Sequence, residues 1–246
     1  NYLCHLINVM SKFKCKKILL SIGAQNDNLQ MFDLQEDNKN VIKKFLSNFD
    51  FINLRGKYTK DLLKYNEINY DYNVLGCPSI YLAKPIMINT ITIKNDTNIL
   101  FNAPRIGQPN TDFIIELIKD QSIKFLYQDS YSYSKQNIIV PYNYQNWKNI
   151  ISKYDFVIGT RIHGSIMALT CNKPTLLLVI DSRTYELAEI FKIPYINLIN
   201  KNINLKNKSD IIKLVNNHTF NYVNYNNYID EYKKNIKSLL SNQFDL

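Results

Sequence analysis

The stretch at residues 155–168, D-F-V-I-G-T-R-I-H-G-S-I-M-A, constrains this chain more than any other. Its short apolar run, its turn with Arg161 and His163 on either side of Ile162, and the small residues after Gly164 predict strand, turn and helix in that order. In open α/β folds such a unit delivers side chains to the carboxyl edge of a parallel sheet, where ligands bind. Asn172, Lys173 and Pro174 close the helix before a second apolar run at 175–180, which completes a βαβ unit with its charged groups at one end. The Arg161 guanidinium is a planar fork suited to phosphate or carboxylate. Backbone N–H groups at the helix start, near Gly164 and Ser165, would add partial positive charge beside it. The expected ligand is an anion. A histidine in such a turn is often only a hydrogen-bonded structural residue; the adjacent Arg161, and Gly164 with its room for close approach, favour a site.

The same alternation runs through the whole chain. Helical spacing of Leu3, Leu6, Ile7 and Met10 precedes a strand at 17–22, a long polar loop through Asn40, a helix on Val41, Ile42, Phe45, Leu46 and Phe49, and a strand at 51–54. Thr59 is placed to cap a short helix, and 72–75 makes the next strand. Strands follow at 99–102, 124–127, 138–140, 155–159, 175–180 and 195–198, with helices between them, one capped by Ser209; 220–227 reads as irregular, and an amphipathic helix begins at Ile229. Strand and helix in alternation argue for α/β structure with parallel sheets. The polar segment at 94–97 divides the chain into a domain at 1–94, a domain at 95–220, and a tail with its helix at 221–246.

Composition narrows the function classes. A 46% hydrophobic and 21% charged chain is of globular type, and no apolar run approaches the roughly 20 residues that span a bilayer. Nothing at the start reads as a signal peptide, so a soluble, cytoplasmic protein without a membrane span is expected. The formal charge of +9 invites a nucleic-acid reading. Its basic residues are scattered, however, in a chain rich in Lys, Asn, Ile and Tyr, as an A/T-rich genome encodes. Only Arg55, Arg105, Arg161 and Arg183 are arginines, and the first three fall just after predicted strands. In a two-domain α/β chain those three converge on the cleft as anion ligands; Arg55 and Arg183 read equally well as partners of surface carboxylates. Cys4, Cys15, Cys77 and Cys171 lack C-x-x-C spacing and a nearby histidine, so they read as reduced, mostly buried thiols, with no metal site.

T-R-I-H-G after an Asp-led strand, followed by A-L-T-C-N-K-P-T-L-L-L, resembles the signature of the polysaccharide pyruvyl transferase family. The segments L-L-S-I-G-A-Q at 19–25, N-L-R-G-K-Y-T at 53–59 and I-V-P-Y-N-Y-Q-N-W at 139–147 stand in the order that family shows, so the resemblance covers most of the chain. It implies transfer of a pyruvyl group from phosphoenolpyruvate, as co-substrate and with no other cofactor, to two hydroxyls of a sugar or glycan. The motif positions fall on Arg161 and His163, and a further arginine of the family falls on Arg105. His163 would then be the acid/base, with Arg161, Arg105, Arg55, Ile162, Gly164 and Ser165 holding the donor. The family begins with a strand and loop that are missing ahead of the first helix here. Two Rossmann-like domains with a terminal helix resemble the GT-B arrangement, in which that helix crosses back to the first domain. The first domain and the loops at 25–37 and 130–137 would meet the acceptor, and the second would bind the donor. A GT-B glycosyltransferase using a sugar nucleotide and a catalytically degenerate glycan-binding protein remain alternatives.

Because the lysines are scattered and no nucleic-acid motif interrupts them, binding to DNA or RNA is expected to be weak, unspecific and steeply salt-dependent. Fluorescence anisotropy with duplex and single-stranded probes checks this, and tight, sequence-selective binding at physiological salt would contradict it.

Overall fold

The computed structural model of the chain describes residues 2–87, 90–104, 108, 110–128, 137–201 and 203–244. Two parallel sheets make it an α/β protein. The smaller sheet has the order β1-β2-β3, from β1 (Ile18–Ile22), β2 (Phe51–Leu54) and β3 (Asn73–Val74), with α1 (Tyr2–Met10), α2 (Glu36–Leu46) and α3 (Lys57–Tyr65) around it. The larger holds β4 (Ile99–Asn102), β5 (Lys124–Leu126), β6 (Ile138–Ile139), β7 (Phe156–Gly159), β8 (Thr175–Val179) and β9 (Tyr195–Asn197), in the order β6-β5-β4-β7-β8-β9. Every pairing between these strands is parallel. Counted within the larger sheet this is the doubly wound order 3-2-1-4-5-6, whose direction of winding reverses between β4 and β7. Asn102 at the end of β4 pairs with Gly159 at the end of β7, so the signature turn leaves the sheet at that switch point.

The strands β2, β4, β7 and β8 are buried along their whole length, as parallel strands covered on both faces must be. Residues Ile80, Ala83, Ile86, Ile91 and Ile93, which follow β3, pack into the larger sheet's core with Phe101, Phe125, Leu178 and Phe191. Leu100, Leu126, Val157 and Met167 form the cluster on its other face, and Phe45, Leu46, Ile52 and Leu54 centre the core of the smaller sheet. Among the described residues no helix is long and apolar enough to cross a membrane.

Several local expectations are corrected. The loop expected through Asn40 ends earlier, because Glu36 and Asp37 form the first turn of α2, where acidic side chains suit the helix dipole. Ser209 does not cap its helix: the Asn207 side chain accepts from Asp210 N at the start of α8 (Lys208–Asn216). The stretch 220–227 is not irregular throughout, since α9 (Val223–Phe244) already begins at Val223. Tyr222, Tyr225, Ile229 and Tyr232 recur at helical spacing and are buried, and that burial outweighs the weak helix propensity of Tyr and Asn. This last helix packs on the 3-10 turn Pro78–Leu82 and on α7 (Ser182–Phe191). Its Tyr225 hydroxyl donates to the Lys84 carbonyl at 2.9 Å, and Lys233 Nζ donates to the Ala83 carbonyl at 2.6 Å.

The expected Thr59 cap is replaced by a longer-range device. The N-cap of α3 is Gly56, which has no side chain to offer, and Thr59 lies inside the first turn. Glu186 of α7 supplies the missing acceptor: it takes the Thr59 N–H at 3.0 Å and the Thr59 hydroxyl at 2.9 Å, and its Oε1 lies 3.2 Å from Arg55 Nε. Burial pushes the Glu186 carboxyl up, while the Thr59 donors and Arg55 pull it back. One carboxylate thus ties a helix of the smaller sheet to a helix of the larger. Removing it leaves a mostly buried guanidinium and an orphaned helix N–H, so Glu186→Ala is expected to cost about 3 kcal/mol. Urea unfolding measures this against Glu36→Ala, whose exposed carboxylate at the start of α2 should shift the midpoint far less.

Candidate functional site

The carboxyl ends of the two parallel sheets supply the side chains of one cavity of about 190 Å³. Arg55 follows β2, Cys77 follows β3, Gln128 follows β5, and Arg161, Ile162 and His163 follow β7; Ser21 of β1 and Arg183 and Leu187 of α7 complete the lining. Of the residues expected from sequence, Arg55, Arg161, Ile162 and His163 therefore meet here. Arg105 lies outside the described residues.

The signature turn is pinned from β4. Asn102, fully buried, donates through Nδ2 to the Arg161 carbonyl at 2.6 Å and accepts from Gln128 Nε2 at 2.9 Å. The same Arg161 carbonyl accepts the N–H groups of Gly164 at 3.0 Å and Ser165 at 3.3 Å as α6 (Ile162–Thr170) begins. Those two amides, expected to face an anion, are thus spent inside the helix. The Ser165 side chain is buried and accepts from Thr175 Oγ1 of β8 at 3.2 Å. Gly164 has a different reason from the one expected: a Cβ there would stand 1.7 Å from Asn102 Nδ2, so its missing side chain makes room for the asparagine rather than for a ligand. His163 remains exposed at the cavity.

Two carboxylates orient two of the arginines from behind. Glu186 holds Arg55, and Asp181, the buried cap of α7, accepts from Arg183 at 3.1 Å and from Thr184 N at 2.7 Å. Burial pulls Arg55 below its ordinary pKa, and Glu186 opposes that shift; a guanidinium stays charged regardless. The pairing expected with surface carboxylates is thus made with buried ones. The loop after β1 is anchored at the same place: Asn26 N donates to Ser182 Oγ at 2.8 Å, and Gln25 Nε2 to Asp181 Oδ2 at 3.4 Å. Residues 130–136 of the other expected acceptor loop lie outside the described residues, and Asn137 is buried, donating to the Ile118 carbonyl at 3.0 Å.

Sequence reasoning missed Cys77, Ser21, Gln128 and the cavity position of Arg183. The cysteines are not mostly buried: Cys4 and Cys15 are exposed, and Cys77 and Cys171 are half-buried. Cys77 Sγ lies 3.8 Å from His163 Nε2 and accepts from Ser79 Oγ at 3.0 Å. Its turn is pinned by a second buried asparagine, Asn53 of β2, which donates to the Gly76 carbonyl at 3.0 Å and accepts from Leu75 N at 2.8 Å. Gly76 itself has φ +76°, and a Cβ there would stand 2.4 Å from Phe191. Ser21 also takes a positive φ, 61°, where the β1–β2 register shifts, a conformation that a β-strand serine adopts only when its surroundings hold it. A usable signal existed in the polar Asn53 and Asn102 inside otherwise apolar strands.

Restoring a Cβ at 164 forces Asn102 off the Arg161 carbonyl. Gly164→Ala is expected to lower stability by about 1–3 kcal/mol, read from thermal or urea unfolding. An unchanged midpoint would show that Asn102 does not hold the turn.

Among curated proteins none matches the chain. Similar solved structures include the S. aureus MnaA–UDP co-structure, at 15% identity and a TM-score of 0.49 over 99% of this chain and 78% of that one. A UDP-N-acetylglucosamine 2-epimerase matches at 10% identity and a TM-score of 0.44 over 98% and 76%, and the glycosyltransferase SnogD from Streptomyces nogalater at 8% and 0.35 over 80% and 58%. The family model for polysaccharide pyruvyl transferase matches residues 2–183, which takes in all three strands of the smaller sheet, the pinned turn with Arg161 and His163, and the cavity arginines. The chain belongs to the polysaccharide pyruvyl transferase family, a family of transferases.

Proposed function

We propose that this protein moves a pyruvyl group from phosphoenolpyruvate to two hydroxyls of a sugar or glycan, giving a cyclic ketal and inorganic phosphate. The observation that carries this reading is the cavity in which Arg55, Arg161 and Arg183 surround the exposed His163. The donor brings a phosphate and a carboxylate on a three-carbon frame, and guanidinium forks match both groups. At about 190 Å³ the cavity is smaller than the roughly 300–1,000 Å³ that enclose larger ligands. That size favours a compact dianion or trianion over a sugar nucleotide, which also needs a slot for its base.

The reaction begins with a proton delivered to the methylene carbon, for which His163 is the candidate acid. The positive charge that develops at the adjacent carbon is offset by the donor's own carboxylate and phosphate, held by Arg161 and a second arginine. One acceptor hydroxyl adds to that carbon and loses its proton to the histidine, and the second hydroxyl closes the ketal as phosphate departs, its proton leaving on the phosphate. The arginines bind the donor, orient it and stabilise the departing phosphate. No redox change or further cofactor is required.

Calorimetric titration with phosphoenolpyruvate should give saturable binding that Arg161→Ala weakens by about tenfold to a hundredfold, the worth of a charged hydrogen-bonded contact. His163→Ala should leave donor binding within a few-fold and cut phosphate release in the presence of acceptor glycan by roughly 10²- to 10⁴-fold. Preferential binding of a uridine or guanosine diphosphate sugar would replace this reading with a glycosyltransferase. Binding of a glycan but of neither donor would leave a glycan-binding protein.

A further inference from the structure

His163 and Cys77 reach the cavity from opposite sheets, His163 from the first turn of α6 and Cys77 from the turn after β3. The sulfur is surrounded by donors: Ser79 Oγ at 3.0 Å, His163 Nε2 at 3.8 Å, and the Ser21 hydroxyl from the shifted position in β1. A neutral thiol is a weak acceptor and gains little from such company, whereas a thiolate is a full anion. The charged and titratable groups facing it favour the same form. Arg55 follows β2, Arg161 precedes α6 and Arg183 belongs to α7, all on the same cavity, while Tyr232 of α9 is buried nearby and is itself raised to about 12 by burial and by Cys77. Burial of Cys77 alone would raise its thiol; the hydrogen bonds from His163, Ser79 and Ser21 prevail and bring it down to about 6. Cys171, half-buried like Cys77 but without these donors, is pushed up instead by its burial.

We propose that Cys77 is the anionic partner of His163, a positioning residue that gives its proton to Nε2 and holds the resulting imidazolium ready to protonate the donor. The proton balance is closed. The S–H bond breaks and an N–H bond forms at Nε2; that proton passes to the methylene carbon of phosphoenolpyruvate, and the first acceptor hydroxyl returns one to the ring as it adds. Sulfur forms no bond to carbon and no electrons are exchanged. The thiolate gives the ring a counter-charge within the cavity that Arg55, Arg161 and Arg183 also line. The assignment of the delivered proton rests on the pyruvyl-transfer reading; the ion pair does not.

The pair is tested first without any substrate. Full-length protein is treated with iodoacetamide across pH values from about 5 to about 10, and alkylation of the Cys77 peptide is followed by mass spectrometry. The midpoint is the readout, since a thiolate of lower pKa is also a poorer nucleophile and the two effects partly cancel in the rate. A midpoint near 6 is expected, moving toward the roughly 8.5 of a free thiol in His163→Asn and partway there in Ser79→Ala. An ordinary midpoint in the unaltered protein, or a low one indifferent to His163→Asn, overturns the pair. The second arm uses turnover: Cys77→Ser should lower kcat by about tenfold to a hundredfold with KM for phosphoenolpyruvate within a few-fold, and should displace the acid limb of the pH profile. Unchanged kcat and profile would overturn the role of Cys77 in the reaction. A low, His163-dependent midpoint in a protein that does not bind phosphoenolpyruvate would instead keep the pair and remove the pyruvyl-transfer reading.

Discussion

The hydrogen bond from the Asn102 amide to the Arg161 carbonyl is the constraint on which the candidate site depends. A parallel strand that ends at a switch point leaves its last backbone groups facing the crevice, and something must satisfy them and fix the chain that leaves the neighbouring strand. Asn102 does both from the end of β4. Its donor holds the Arg161 carbonyl while its acceptor takes Gln128, so three strand ends are brought into register by one fully buried side chain. Gly164 is small because that amide occupies the space beside it. Arg161 and His163 then leave the same short turn, one before the helix starts and one in its first turn.

Asn53 repeats the device in the smaller sheet, where it fixes Leu75 and Gly76 and so the position of Cys77. Asparagine suits this work because one side chain carries both an acceptor and donors, and so stands in for a stretch of backbone ladder where the strands stop. The two pinned turns face each other across the cavity. Glu186 keeps them there by capping α3 and pairing with Arg55 at once. Positive charge is thereby concentrated without being left uncompensated: Glu186 and Asp181 sit behind Arg55 and Arg183 and aim them toward the cavity.

The arrangement explains how three of the few arginines in a lysine-rich chain come to share one cavity. Lysine offers a mobile point charge, whereas the Arg55 and Arg183 guanidiniums are each held by a buried carboxylate and Arg161 leaves a pinned turn, so each can meet an oxyanion in a set direction. The thiol of Cys77 introduces the opposite charge into the same space, and its sequence gave no hint of this because its partners come from β1, the turn after β3 and α6, far apart along the chain.

What the sequence determined by itself is what local periodicity and short motifs carry. The alternating apolar runs located the strands, with 51–54 and 99–102 matching β2 and β4, and the D-F-V-I-G-T-R-I-H-G stretch placed Arg161 and His163 at a strand-to-helix turn. Family membership followed from that motif and its order relative to the others. Thr59 does not cap α3 because the acceptor comes from Glu186, 127 positions away, whereas at α8 the capping oxygen is local but belongs to Asn207 and not to Ser209. The irregular reading of 220–227 failed because propensity is weak beside the burial of Tyr222 and Tyr225. Only tertiary structure decided that Gly164 serves Asn102 and that Cys77 meets His163. Each depends on where two strand ends lie relative to one another, and that distance is set by how the sheets pack.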